Sequence, residues 1–252
     1  LLQRAAAIIA VSGAVKMAAT ETAVVDDKKI RVVHNGVASE YLHRDGESTI
    51  RRDLSLGSDH VLVGDVSRLA PAKGQDVFIR AAAKVCNNNH RNVHFVLVGD
   101  DSIFSENEDY VSKLHAITAE QGIGAHVSFL GFREDMANVY RGLDLIVHPS
   151  WEEGLGMVVL EPMACGKVVI ATETGGIPEI IRHGENGFLF TPGDSDALAE
   201  IMLKLLAMDD EAFAAIGERA RNTIKRAFTV DGEAAGIERL IQESISGHQA
   251  SE

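Results

Sequence analysis

Between residues 150 and 161 the chain reads Ser-Trp-Glu-Glu-Gly-Leu-Gly-Met-Val-Val-Leu-Glu, after an apolar run that reads as a strand and before a stretch that reads as a short helix. Gly154 and Gly156 let the backbone turn tightly and come close to a ligand. The helix behind them offers unpaired N–H groups and the positive end of its dipole to an anion such as phosphate. Glu153 stands before the helix start and Glu161 inside it, so at 1.5 Å per residue their backbones lie about 12 Å apart. Paired carboxylates that cleave one glycosidic bond stand about 5 to 9.5 Å apart, which these reach only by leaning together. The wider span suits an extended ligand with a polyol at each end and a diphosphate between them, as in a nucleotide sugar. On spacing alone, Glu153 reads equally well as a solvated helix-start carboxylate and Glu161 as a surface residue.

A second strand, loop and helix runs Gly64-Asp65-Val66-Ser67-Arg68-Leu69-Ala70-Pro71-Ala72-Lys73-Gly74. Arg68 can grip a phosphate with two parallel N–H bonds and Lys73 adds a point charge, although two solvated loop cations would read the same. Gly74 and Gln75 follow Lys73 where a Walker loop has Ser or Thr. The setting makes these cations informative. Against 37 Asp+Glu the 252 residues carry 24 Lys+Arg, a formal charge of −13, so the overall field repels polyanions and argues against a nucleic-acid groove or an anionic membrane as partner. With 46% hydrophobic and 24% charged residues the chain has the balance of a globular protein. Cys86 and Cys165 form no C-x-x-C and no H-E-x-x-H occurs, so neither a disulfide framework nor a zinc site is indicated, and a reducing, cytoplasmic setting is expected. Nowhere do 18 apolar residues run together. Arg4 and the apolar stretch from Ala5 to Val15 imitate a short signal peptide, interrupted by Lys16.

These segments sit in a repeating pattern. Ile30 to Val33, Val61 to Val66, Val93 to Val98, Val127 to Leu130, Leu143 to Val147, Val168 to Thr172 and Gly187 to Phe190 read as strands apolar on both faces, as a parallel sheet requires. Helical spacing joins Val77, Phe78, Ala81, Ala82 and Val85, then Met136, Val139 and Tyr140, then Leu198, Ile201, Met202, Leu205 and Leu206. Strand, helix, strand repeated five times predicts an α/β, doubly wound Rossmann-like sheet with ligands at the carboxyl ends of its strands. Ala7 to Val11 reads as an extra strand without an obvious partner. The tail from Asp209 to Ser246 reads as two helices broken near Thr229 and Asp231. Gly122-Ile123-Gly124 reads as a helix stop, His148 as a packed wall residue, and Trp151 as either a pocket wall or a core cap. His90 and His94 straddle a loop and a strand, which makes a shared metal improbable.

Taken in order, Arg68-Leu69-x-x-x-Lys73-Gly74, Glu153-x7-Glu161 within E-G-L-G-M-V-V-L-E-P-M-A-C-G, Thr174-Gly175-Gly176-Ile177-Pro178-Glu179 and Asn186-Gly187-Phe188 resemble the donor-binding half of retaining GT-B glycosyltransferases, specifically glycosyltransferase family 4. The resemblance runs from about residue 30 to 245, and the opening Ala7 to Ser12 and Ile30 to Val37 look like that family's passage from its acceptor domain into its donor domain. It outweighs the signal-peptide reading. It implies a retaining hexosyltransferase that uses a UDP- or GDP-sugar as co-substrate with no cofactor and no metal. Arg68 and Lys73 would hold the diphosphate, Glu153 would contact the transferred sugar, and amides around Gly154, Leu155, Gly156 and Met157 would meet phosphates and hydroxyls. Glu161 would bind the ribose, main-chain groups near Phe132 and Arg133 would read the base, and Ser67 would line the donor site. The family usually has Gly at position 67, Phe at 155 and Ala at 162, where this chain has Ser67, Leu155 and Pro162.

The implied organisation is a connection to the acceptor domain over 1–40, a donor-binding domain over 41–230 and a helix and tail over 231–252 crossing toward the acceptor domain. That domain, which would precede residue 1, or a partner chain, would complete the cleft and provide any membrane association. The first 25 residues and the last helix are then expected to be mobile or to drive self-association. Two alternatives stay open: a GT-B nucleotide-sugar epimerase or hydrolase, and a non-catalytic nucleotide-sugar binding subunit completed by another chain.

Overall fold

The computed structural model describes residues 5–22, 25–43, 47–88, 92–100 and 108–249. Its strands are β1 (Ile8–Ala10), β2 (Ile30–Val32), β3 (Val61–Val66), β4 (Val93–Val98), β5 (Val127–Phe129), β6 (Leu145–His148), β7 (Val168–Thr172) and β8 (Phe188–Phe190). The helices are α1 (Gly13–Thr22), α2 (Ile50–Asp53), α3 (Gln75–Asn88), α4 (Glu108–Glu120), α5 (Met136–Gly142), α6 (Met157–Ala164), α7 (Ile177–Ile180), α8 (Ser195–Leu206), α9 (Asp210–Ala227) and α10 (Val230–Gln249). Six strands form one parallel sheet in the order β5-β4-β3-β6-β7-β8.

The strands of the main sheet are mostly apolar because helices cover both faces, with Asp65, His94, Ser128, His148 and Thr172 as the polar exceptions. On one face Val63, Phe95, Leu97, Leu145, Val147 and Ile170 pack with α3, α4 and α8. On the other, Leu62, Val96, Val98, Ile146, Val169 and Ala171 pack with α5, α6 and α9. Each such Val, Leu, Ile or Phe contributes about 1.5–3 kcal/mol on burial, enough in sum to fix the register from which the site loops spring. α4 ends at Glu120, just before Gly122, as its sequence predicts.

Two expectations are corrected. β2 does not join the main sheet, and the strand at Ile8–Ala10 does have a partner: β1 and β2 form a separate two-stranded parallel sheet with Ile8 opposite Ile30. The physical reason lies in how little of this pair is covered. Ile9, Arg31 and Val32 stay exposed, whereas β3, β4, β6 and β7 of the main sheet are buried on both faces. The stretch that imitates a signal peptide is split between β1 and α1. The tail forms two helices, α9 and α10, with the break at Phe228 and Thr229. There Val37 N–H donates to the Phe228 carbonyl at 2.9 Å, and Gly36 N–H donates to Glu233 Oε2 at 2.8 Å. Among the described residues no helix is long and apolar enough to cross a membrane.

Candidate functional site

The chain leaves β3 toward β4 on one side and enters β6 beside β3 on the other, so the sheet order reverses between these two strands. A crevice opens at the carboxyl ends of strands at such a switch point. Ser67 and Arg68 leave β3 there, and Pro149 to Gly156 leave β6 beside them.

Two adjacent cavities occupy this crevice. The first, about 260 Å³, is lined by Phe132, Arg133, Tyr140 and Glu161 among apolar neighbours such as Val66, Val98 and Met136. The second, about 350 Å³, is lined by Lys73, Glu153, Gly154, Leu155, Gly156 and Met157, together with Val11 and Asn35. Ser67, Arg68 and Val158 line both, so one cation stands where the hollows adjoin. The two glutamates singled out by spacing therefore fall one in each cavity.

The charges are arranged unexpectedly. Glu153 Oε2 accepts from Lys73 Nζ at 2.7 Å and lies 3.0 Å from His148 Nε2. Burial pushes the Glu153 carboxyl up, but its bonds to His148 and Lys73 outweigh that and hold it at about 2. His148 is the packed wall residue that the sequence suggested, 1% exposed, and it also orients Glu153. Nothing in the spacing of His148 and Glu153 announces that bond, since the loop between them has to fold back to make it. Glu161 Oε2 accepts from Tyr140 Oη at 2.9 Å; burial pushes the Glu161 carboxyl up and the tyrosine bond holds back part of the rise. Tyr140 was legible only as a core residue of α5.

Arg133 donates to both carboxylate oxygens of Asp135, at 2.8 and 2.7 Å, so its guanidinium is engaged beside the cavity while Phe132, 65% exposed, stands open to it. Gly156 is the residue before the first turn of α6; no side chain caps that turn and no acidic residue sits in it. The N–H groups of Met157 and Val158 open the helix, at the positive end of its dipole, where no acidic residue of the first turn would oppose an approaching anion. Leu155, expected at the ligand, touches the second cavity with a side chain only 3% exposed, because it packs into the core with Val159 and Ile177. Trp151 lines neither cavity; it is 46% exposed.

The opening segment contributes more than its sequence suggests. Ser12 Oγ donates to the Gly154 carbonyl at 2.7 Å, and Glu179 accepts from Gly13 N and Ala14 N at 3.2 Å each and bonds His34 Nε2 at 2.7 Å. These bonds tie the start of α1 and the stretch after β2 to the site, which is how Val11 and Asn35 reach the second cavity. His94 Nε2 bonds Ser128 Oγ at 2.8 Å, and His90 lies outside the described residues. Both cysteines are free, and among the described residues no group of three His, Cys, Asp or Glu is placed to hold a metal ion.

The chain is similar to a D-inositol 3-phosphate glycosyltransferase of Corynebacterium jeikeium, 33% identical over 203 residues that make up 79% of this chain and 48% of that protein. It is also similar to an N-acetyl-alpha-D-glucosaminyl L-malate synthase of Bacillus anthracis, 30% identical over 83% of this chain and 52% of that protein. The chain spans about half the length of the curated relatives it matches. Among solved structures, Anabaena Alr3699/HepE in complex with UDP-glucose superposes with a TM-score of 0.85 at 34% identity, over 95% of this chain and 65% of that one. The family described as glycosyl transferases group 1 matches residues 47–223, and the chain belongs to that family.

Proposed function

We propose that this chain is the donor-binding half of a retaining glycosyltransferase of family 4, which transfers a sugar from a nucleoside diphosphate to an acceptor. The observation that carries this reading is the pair of cavities meeting at Arg68. The aromatic and apolar one, with Glu161 in it, suits a nucleoside, and the one with Lys73, Glu153 and the start of α6 suits a diphosphate and sugar. Glu161 would accept from the ribose hydroxyls, main-chain groups near Phe132 and Arg133 would read the base, and Glu153 would accept from hydroxyls of the transferred sugar. HepE, which shares about a third of its residues, was crystallised with UDP-glucose, which favours a uridine nucleotide here too.

The chemistry is dominated by leaving-group stabilisation. As the bond to the anomeric carbon breaks, negative charge gathers on the diphosphate, and Arg68, Lys73 and the N–H groups of α6 are the groups this chain supplies to meet it. The sugar nucleotide is the co-substrate, and no further cofactor enters these steps. The acceptor and the other wall of the cleft belong to a part of the protein outside these residues, and the isolated chain is expected to bind donor while transferring little.

A thermal-shift panel of UDP-, GDP- and ADP-sugars tests this. At a hundred times its dissociation constant the true donor adds about 2.7 kcal/mol, a rise of about 5 °C or more. No rise with any of the three would refute donor binding. Two substitutions probe the roles. Glu161→Ala is expected to weaken UDP binding by about 1–3 kcal/mol, since charged hydrogen bonds to the ribose are lost. Calorimetry showing unchanged affinity for both UDP and GDP would count against that role. Glu153→Gln is expected to act in the opposite direction, tightening UDP about threefold by releasing Lys73 and removing a negative charge from the anion cavity. Weaker UDP binding by this variant would show that Lys73 is not held back by Glu153.

A further inference from the structure

Two residues before Arg68 on β3 lies a carboxyl group that the reading above leaves unused. Asp65 is fully buried, and its Oδ1 accepts from Ser67 Oγ at 2.7 Å. That hydroxyl in turn accepts from Gln75 Nε2 at 2.7 Å, and the same Gln75 amide donates to the Arg68 carbonyl at 3.0 Å. Side chains thus run unbroken from the buried acid to the main chain that presents Arg68. Ser67 lines both cavities, so the acid is one hydrogen bond from the ligand space.

The network is short of donors. Asp65 Oδ2 and Gln75 Oε1 are both buried with no hydrogen-bond partner, and Gln75 itself is fully buried. A charged Asp65 brings only acceptors to this spot, whereas a neutral one brings an O–H. Burial pushes the Asp65 carboxyl up to about 6, with the Ser67 bond, the nearby His148, the Gln75 amide and Lys73 holding back part of the rise. Tyr110 on α4 is the further titratable group that feels Asp65. The acid therefore titrates just below neutral pH, where a ligand that lifts it further changes its charge.

Resting on the diphosphate site proposed above, we propose that Asp65 is a positioning residue for the Arg68 turn and that it takes up one proton from solvent when a diphosphate occupies the cradle. A bound diphosphate brings negative charge toward Ser67 and engages Lys73, one of the cations that favour the Asp65 carboxylate. The carboxylate then faces an anion in place of a cation, and its neutral form becomes the favoured one. The balance is simple: free chain with Asp65 charged, plus donor, plus one proton, gives the complex with Asp65 neutral. Donor affinity must then fall as pH rises through the Asp65 range, by about tenfold if binding lifts the acid by one unit.

Calorimetry with UDP-glucose in buffers of different ionisation enthalpy reads this directly. UDP-glucose is the probe because its diphosphate is esterified at both ends and does not itself titrate near neutrality. Uptake of about half a proton is expected near pH 6.5, falling to nothing in Asp65→Asn. That variant is expected to fold, because a group raised by burial stabilises the fold only below its own range and costs stability above pH 6, where Asn carries no such cost. A second variant, Ser67→Gly, keeps the acid but removes its donor, and should move the uptake to higher pH. Binding without proton uptake overturns the inference while leaving the donor site standing. Uptake that persists in Asp65→Asn also overturns it, as does an uptake profile unmoved in Ser67→Gly. A chain that binds none of UDP-glucose, GDP-mannose and ADP-glucose defeats the donor site itself and this inference with it.

Discussion

Lys73→Ala is expected to weaken UDP binding to this chain by about 2–3 kcal/mol, roughly a 30-fold to 160-fold loss. Two effects add. The diphosphate loses a charge-assisted hydrogen bond from a side chain that is 22% exposed, too sheltered for water to replace it fully. In addition, Glu153, 17% exposed, loses the cation 2.7 Å from its Oε2 and keeps only His148, so the cavity gains an uncompensated negative charge just where the ligand's own charge must lie. Lys73→Arg keeps the charge but replaces a point cation by a planar fork, and should recover only part of the loss. Set beside Glu153→Gln, which should tighten UDP, the pair gives opposite signs from two residues that touch. A lysine that serves only as a solvated surface charge would change affinity by less than twofold.

The sheet was legible because its physics is local. Val61 to Val66, Val93 to Val98 and Val168 to Thr172 are almost wholly apolar runs bounded by polar loops, as burial on both faces requires. That Gly154, Gly156, Arg68 and Lys73 would fall on loops at the carboxyl ends of adjacent strands was legible for a similar reason: tight backbone turns demand particular residue types at particular strand ends. What stayed hidden depends on contacts between distant segments. β1 and β2 are three residues each, too short for periodicity to reveal that they pair with each other and not with the main sheet. Val11 and Asn35 reach the second cavity only because Ser12 and Glu179 strap the opening segment to loops more than 140 positions away. Tyr140 and His148 look like core residues in sequence because their rings are core; their hydrogen bonds to Glu161 and Glu153 are visible only once α5, β6 and α6 are packed. Asp65 is the sharpest case, a carboxylate inside an otherwise apolar strand, where a local rule is broken beside the site.

Gly175→Ala should be the most damaging single substitution for the fold around the site, costing about 3 kcal/mol or more. The residue has φ +53°, and a Cβ placed on it would lie 1.6 Å from the Glu153 carbonyl oxygen. The left-handed backbone alone costs an alanine about 1–2 kcal/mol, and the overlap is with main chain, which has no rotamer to escape into. Nor can the facing loop retreat freely. Gly176 N–H donates to the Gly154 carbonyl at 3.1 Å, and Ser12 Oγ donates to the same oxygen at 2.7 Å. Relief must come from displacing Glu153 and the loop that leads into α6, which pulls Glu153 from Lys73 and His148 and shifts the N–H groups at the start of α6. Thermal denaturation should show a fall of about 6 °C or more, together with loss of the stabilisation that UDP gives the parent chain. Gly122→Ala is the matched control: φ is +70° there too, but nothing stands within 4 Å of the added carbon, so only the backbone cost of about 1–2 kcal/mol should appear. If the two variants melted at the same temperature and bound UDP equally, the close approach of the Thr174–Gly175 turn to Glu153 would not be what holds the Glu153 loop in place.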